Sequence, residues 1–174
     1  MKKTKIIVSS SILILGCIIL ILLIRLKPRP ILQLAIFPTG TSVESYYFEV
    51  SQDGHFKCEV GTRRSDNIKQ PFFLKKVVES STKMMDISER QILLDLAIEL
   101  ESSTYTYKDL DVSDSWHVVV LFNGKTYETD YFLLLNQKTY ETDYFLYNHN
   151  DAFKDLINKI IDFSPILVDL HGWA

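Results

Sequence analysis

The chain has 174 residues, 47% of them hydrophobic and 24% charged, with a formal net charge of −3. That length accommodates one compact domain and one appendage. The slightly acidic balance argues against a nucleic-acid partner, which needs a concentrated basic face.

The appendage comes first. Residues 6–24 (IIVSSSILILGCIILILLI) hold no charge over nineteen positions, and at about 1.5 Å per residue a helix of that length crosses the roughly 30 Å of bilayer hydrocarbon. Residues 1–26 are therefore expected to be a short basic tail and a single-pass transmembrane helix, with the lipid bilayer as the first partner. Lys2, Lys3 and Lys5 precede the run, and Arg25, Lys27 and Arg29 follow it. A short basic tail before a single apolar segment stays in the cytoplasm, which places the C-terminal domain outside a bacterial-type cell. The run is longer than the apolar stretch of a signal peptide and ends without a small-residue cleavage site, so it is expected to stay as a signal anchor.

Residues 14–17 (ILGC) resemble the lipid-attachment box of bacterial lipoproteins. Two features depart from it: Leu15 is bulky for that position, and the residues after Cys17 remain apolar where a lipoprotein turns polar. Cys17 is read as a small residue packed in a membrane helix. The other cysteine, Cys58, falls in the domain, so the two are not placed to form an internal disulfide.

Residues 27–45 read as a linker with a possible first strand over 31–37, and residues 46–174 as a single domain. Pro28 and Pro30 end the membrane helix. Tyr46, Phe48 and Val50 alternate with polar neighbours, as do Phe56, Cys58 and Val60. Opposed residues must share a face, so Val50 pairs with Phe56 and Phe48 with Cys58. This leaves a three-residue loop, Gln52, Asp53 and Gly54, with Gly54 left-handed. Cys58 is then a buried, inert thiol. Residues 61–67 read as a polar loop and 72–85 as an extended strand.

Ser88 and Gln91 match a capping box and Ile87 with Ile92 a hydrophobic staple, which predicts a helix from Glu89. Its expected inner stripe is Ile92, Leu93, Leu96, Ala97 and Leu100. Residues 116–122 (WHVVVLF), then Asn123-Gly124, then 125–133 form the strongest hairpin signal, because Asn-Gly supplies both positive-φ positions of a type I′ turn. That turn opposes Trp116 with Tyr131, Val118 with Thr129 and Val120 with Tyr127. On the other face it opposes His117 with Asp130. Phe153, Leu156, Ile157, Ile160 and Ile161 form the stripe of a second helix, stopped by Ser164-Pro165, and Ile166, Val168 and Leu170 alternate as a last strand.

The stretch KTYETDYFL occurs twice, at 125–133 and at 138–146, inside a tandem thirteen-residue repeat (123–135 and 136–148). With a four-residue loop the second copy can return as a third strand, Tyr131 against Tyr140 and Tyr127 against Tyr144. Such a strand leaves the chain at the opposite end of the sheet from where the second helix is expected to begin. One copy is therefore expected to complete the sheet and the other to be a tolerated insertion.

The predicted class is α+β: a transmembrane helix followed by a small two-layer domain, an antiparallel or mixed sheet with two helices on one face. No phosphate loop, nucleophile elbow, HExxH or CxxC occurs, and nothing in the sequence asks for a cofactor or a metal. The weak catalytic candidates are His117 with Asp130, and Asp169 with His171, which together could serve as acid and base or hold a metal if their strands were neighbours. His149 is read as a loop residue. Tyr140, Tyr144 and Tyr147 form a possible interaction surface. The expected function is a membrane-anchored, extracytoplasmic, non-enzymatic binding or interaction domain for an unknown protein or surface ligand. The alternatives are a small hydrolase or metal-dependent enzyme using the His/Asp cluster, and an inhibitor or immunity-type protein.

Overall fold

The computed structural model describes residues 29–40, 44–70, 73–104, 116–135, 142–146 and 151–170. The apolar run of residues 6–24 lies outside them, and among the described residues no helix is long and apolar enough to cross a membrane. The elements are β1 (Pro30–Pro38), β2 (Ser45–Ser51), β3 (His55–Arg63), β4 (Leu74–Met84), α1 (Ile87–Ser102), β5 (Trp116–Phe122), β6 (Lys125–Leu135), β7 (Thr142–Leu146) and α2 (Asp151–Asp162). They make one sheet in the order β4-β3-β2-β1-β5-β6-β7, with every pairing antiparallel. The described residues form the small α+β domain expected from the sequence, and among them every strand pairing is antiparallel.

The possible first strand is the central one. Leu32, Leu34 and Ile36 of β1 are fully buried because β2 and β5 flank them and both helices cover them. The β2–β3 hairpin has the expected register, Val50 opposite Phe56 and Phe48 opposite Cys58, with Gly54 at φ 92°. In the β5–β6 hairpin Asn123 and Gly124 take φ 50° and 77°, and Trp116 opposes Tyr131. Both turns were set by residues that tolerate positive φ and by the need to keep like faces together.

Both helices cross the strands. The start of α1 is tied to the β2–β3 turn, where Met85 N–H donates to the Gly54 carbonyl at 3.0 Å. Its last turn reaches the β5–β6 turn, where Glu101 accepts from Asn123 at 2.9 Å and pairs with Lys125 at 2.9 Å. Those turns lie at the same end of the sheet, the end where β1 begins, so α1 runs across it. The second helix returns beside α1, and Phe163 just past its end sits 5.5 Å beneath the Lys83 ammonium of β4.

Several expectations are corrected. The cap of α1 is Asp86, not Ser88: Asp86 Oδ1 accepts the Glu89 N–H at 2.7 Å, and Glu89 Oε2 accepts the Asp86 N–H at 3.2 Å. Ser88 donates its hydroxyl to Asp86 instead. A carboxylate at the positive end of a helix is the stronger acceptor, and Lys83 holds Glu89 in place at 2.8 Å. The staple is absent, since Ile87 and Ile92 are both exposed, and the inner stripe narrows to Leu93, Ala97 and Leu100 with Leu96 partly buried. Strand β3 continues through Arg63 into the stretch read as a loop.

Residues 166–170 are not a strand. Ile166 and Leu170 are buried in the main core while Leu167 is exposed, so the alternation is genuine. The segment lies over the helix-side core and not at a sheet edge, so ladder partners are lacking. The Tyr46 hydroxyl instead bonds to both the carbonyl and the N–H of Asp169 at 3.2 Å.

The second repeat copy pairs with β6 in a register other than the one expected. Leu146 stands opposite Tyr131, Tyr144 opposite Leu133 and Thr142 opposite Leu135. Strand β6 runs two residues beyond the repeated Leu133, and β7, paired with β6 alone in the strand order, lies at the edge of the sheet.

Candidate functional site

The face of the sheet away from the helices carries a ladder of polar residues. One row reads Leu121, Gln33, Glu49, Lys57 from β5 to β3, and the next reads Val119, Ala35, Tyr47, Glu59. Alternation on each strand puts these residues outward once the inward set is fixed by the core.

The loop that follows β3, described for residues 64–70 and Phe73, lies over one end of this face. Ile68, Phe73 and Leu74 are buried there with Ala35, Phe37 and Val119 in a second apolar cluster. Arg63 fastens the loop: its guanidinium lies 4.6 Å over the Phe37 ring, donates to the Pro38 carbonyl at 2.8 Å and pairs with Asp66 at 2.6 Å. Phe73 packs on Phe37 and Tyr47 with ring centroids 5.8 and 5.9 Å apart.

Between loop and ladder lies a cleft of about 590 Å3, lined by Leu121, Gln33, Tyr47, Glu49, Lys57 and Glu59 on the sheet floor and by Ile68, Phe73, Leu74 and Val77 beside it. Its floor is internally satisfied. Gln33 Nε2 donates to the Tyr47 hydroxyl at 2.5 Å, and that hydroxyl donates to Glu49 Oε2 at 2.9 Å. Lys57 pairs with Glu59 at 2.7 Å. Burial, then the charge of Glu49, pushes the Tyr47 phenol far above its ordinary value, so it stays protonated.

Val77 reaches the cleft through a bulge. Val60 opposes Glu79 while Gly61 opposes Val77, which leaves Val78 as the extra residue on β4. Gly61 permits this because a Cβ there would stand 2.0 Å from the Lys76 carbonyl oxygen.

The sequence-derived candidates are divided between two faces. His117 and Asp130 are opposed across β5–β6 as expected. The imidazole lies on the outer face, 5.1 Å from the Phe37 ring, with Nε2 3.6 Å from Glu128 Oε2. Asp169 is held on the helix face, through Tyr46, which packs against Trp116. His117 and Asp169 are therefore not brought together. Among the described residues no three His, Cys, Asp or Glu side chains cluster as a metal would require. His149, His171, Tyr140 and Tyr147 lie outside the described residues, and Tyr144 is placed only by its register in β7.

The cleft itself was not found from the sequence. The signals that point to it are the lone apolar Ile68 in a polar stretch and the outward polar set on three strands, and joining them requires the strand order. No family model, no curated protein and no solved structure matches this chain.

Proposed function

We propose that the protein is a single-pass, membrane-anchored, extracytoplasmic binding domain that does no chemistry of its own, and that the outer-face cleft receives a small ligand or a short segment of a partner. The observation that carries this reading is the cleft's make-up. Its volume falls in the range of small-ligand sites, and a few convergent polar groups sit beside apolar walls. Those polar groups are committed to one another: a protonated phenol donates to Glu49, and Lys57 neutralises Glu59. A set of this kind orients a ligand and is not poised for proton transfer. The uncharged run of residues 6–24 supports the anchor, and the lysines before it support the outward orientation.

The test is photo-crosslinking in intact cells from a photoreactive residue in place of Gln70, which lines the cleft. An externally added quencher that cannot cross the membrane should suppress the reaction. The adduct should disappear when Val77→Trp fills the cleft. An adduct unchanged by Val77→Trp, or one insensitive to the external quencher, counts against the cleft or the orientation respectively.

A further inference from the structure

The side of α1 that faces the β2–β3 and β5–β6 turns is marked by its contacts. Arg90 donates to the Gln52 carbonyl at 3.1 Å, and Glu101 meets Asn123 and Lys125. At 3.6 residues per turn, Ile87, Leu94 and Ile98 occur at i, i+7 and i+11 and flank that same side. Leu94 packs partly on the core, but Ile87 is 83% exposed and Ile98 53%, and Met84 beside the corner is 60% exposed. A helix with an outward apolar stripe besides its buried one is not explained by this domain's own core.

The chain's path supplies the occupant. Gln52 N–H donates to the Arg29 carbonyl at 3.1 Å, so the β2–β3 turn is fastened to the start of the domain. Arg29 is five residues past Ile24, the end of the uncharged run. Fully extended, five residues reach at most about 18 Å. The end of the sheet bearing the stripe is thus tethered within that distance of the bilayer, and Leu167 at 86% exposure sits near Tyr46 at the other end.

We propose that the α1 flank carrying Ile87, Leu94 and Ile98 lies in the interfacial layer of the bilayer that holds the anchor, fixing the domain's orientation with the cleft held to one side. This rests on the anchor reading above. Among the described residues at this end Arg29, Arg90 and Lys125 are matched by Asp53, Asp86 and Glu101, so the contact made by α1 itself is apolar and not driven by anionic headgroups.

The experiment uses the full chain in phosphatidylcholine vesicles, with Cys17→Ser and a fluorescent label on Ile87→Cys, Ile98→Cys or Leu167→Cys; Cys58 is buried and stays unlabelled. Lipids carrying a spin label near the headgroup should quench positions 87 and 98 at least twofold and leave 167 unquenched, with no change on raising salt. Vesicle flotation is scored on the same samples. Equal quenching at all three positions, or none at 87 and 98, in chains that float overturns the proposal and leaves the anchor intact. Chains that fail to float overturn the anchor reading and this proposal together.

Discussion

Leu146 stands opposite Tyr131, two residues away in register from Leu133, the residue it duplicates. One strand spacing and two residues of rise separate the ends of the two copies by about 8 Å. The chain therefore leaves the sheet at nearly the same place after either copy. The objection that an added strand strands α2 at the wrong end does not hold, because β6 overshoots to Leu135 before β7 returns.

Deleting residues 136–148, which splices Leu135 to His149, should leave a folded domain. The loss is that of five cross-strand pairs, about 1–5 kcal/mol at roughly 0.2–1 each, against a typical total of about 5–15. A cooperative urea transition with a modestly lower midpoint is expected. An aggregated or non-cooperative product shows β7 to be indispensable.

The cap of α1 gives a pH-dependent prediction. The Glu89 N–H and then the Ser88 hydroxyl hold the Asp86 carboxyl below its ordinary value. A group whose folded pKa is depressed adds stability above its unfolded pKa of about 3.9, and that stability is lost as pH falls through the folded value. Asp86→Ala should lower the urea midpoint at pH 7, and the gap from the unmodified protein should narrow below about pH 4. Ser88→Ala should have a smaller effect at either pH. Equal effects of the two substitutions would return the cap to Ser88.

Cys58 is fully buried, and burial pushes its thiol up to about 11, partly offset by a hydrogen bond with the Ser164 side chain. At pH 8 it should resist alkylation in the folded protein and react once urea unfolds the domain. Because the folded pKa is raised, its contribution to stability is complete below the unfolded value of about 8.5 and lost as pH rises towards 11. Mass spectrometry of the Cys17→Ser chain checks the first point. Rapid labelling under native conditions would contradict the burial.

Gly61→Ala should push β4 away from β3, since the new methyl meets the Lys76 carbonyl, which belongs to backbone and cannot swing aside. Overpacking of this kind costs about 1–3 kcal/mol. The bulge delivers Val77 to the cleft, so crosslinking from position 70 should fall as well, even where the variant still melts cooperatively. An unchanged melt and an unchanged adduct would mean that the bulge does not shape the cleft.

Local chemistry settled more of this fold than its length suggests. Asn123-Gly124 and Gln52-Asp53-Gly54 fixed two hairpins and their registers, because positive φ and like-facing side chains leave few solutions. The stripe from Phe153 to Ile160 fixed α2, and the alternation at Ile166, Val168 and Leu170 marked the side chains turned to the core, two of them buried and Val168 partly so. Where two local signals competed, as Asp86-x-x-Glu89 with Ser88-x-x-Gln91, the sequence held both and the choice fell to contacts from β4, through Lys83.

Tertiary structure alone decided the rest. Whether an alternating segment becomes a strand depends on a free sheet edge, and residues 166–170 lie over the core, away from one. The separation of His117 from Asp169 follows from which sheet face each segment packs on. The cleft exists because β1 stands between β2 and β5 and the loop after β3 sets Ile68 and Phe73 against all three. Periodicity along one strand fixes what points in or out, but it contains nothing about which strand lies beside it.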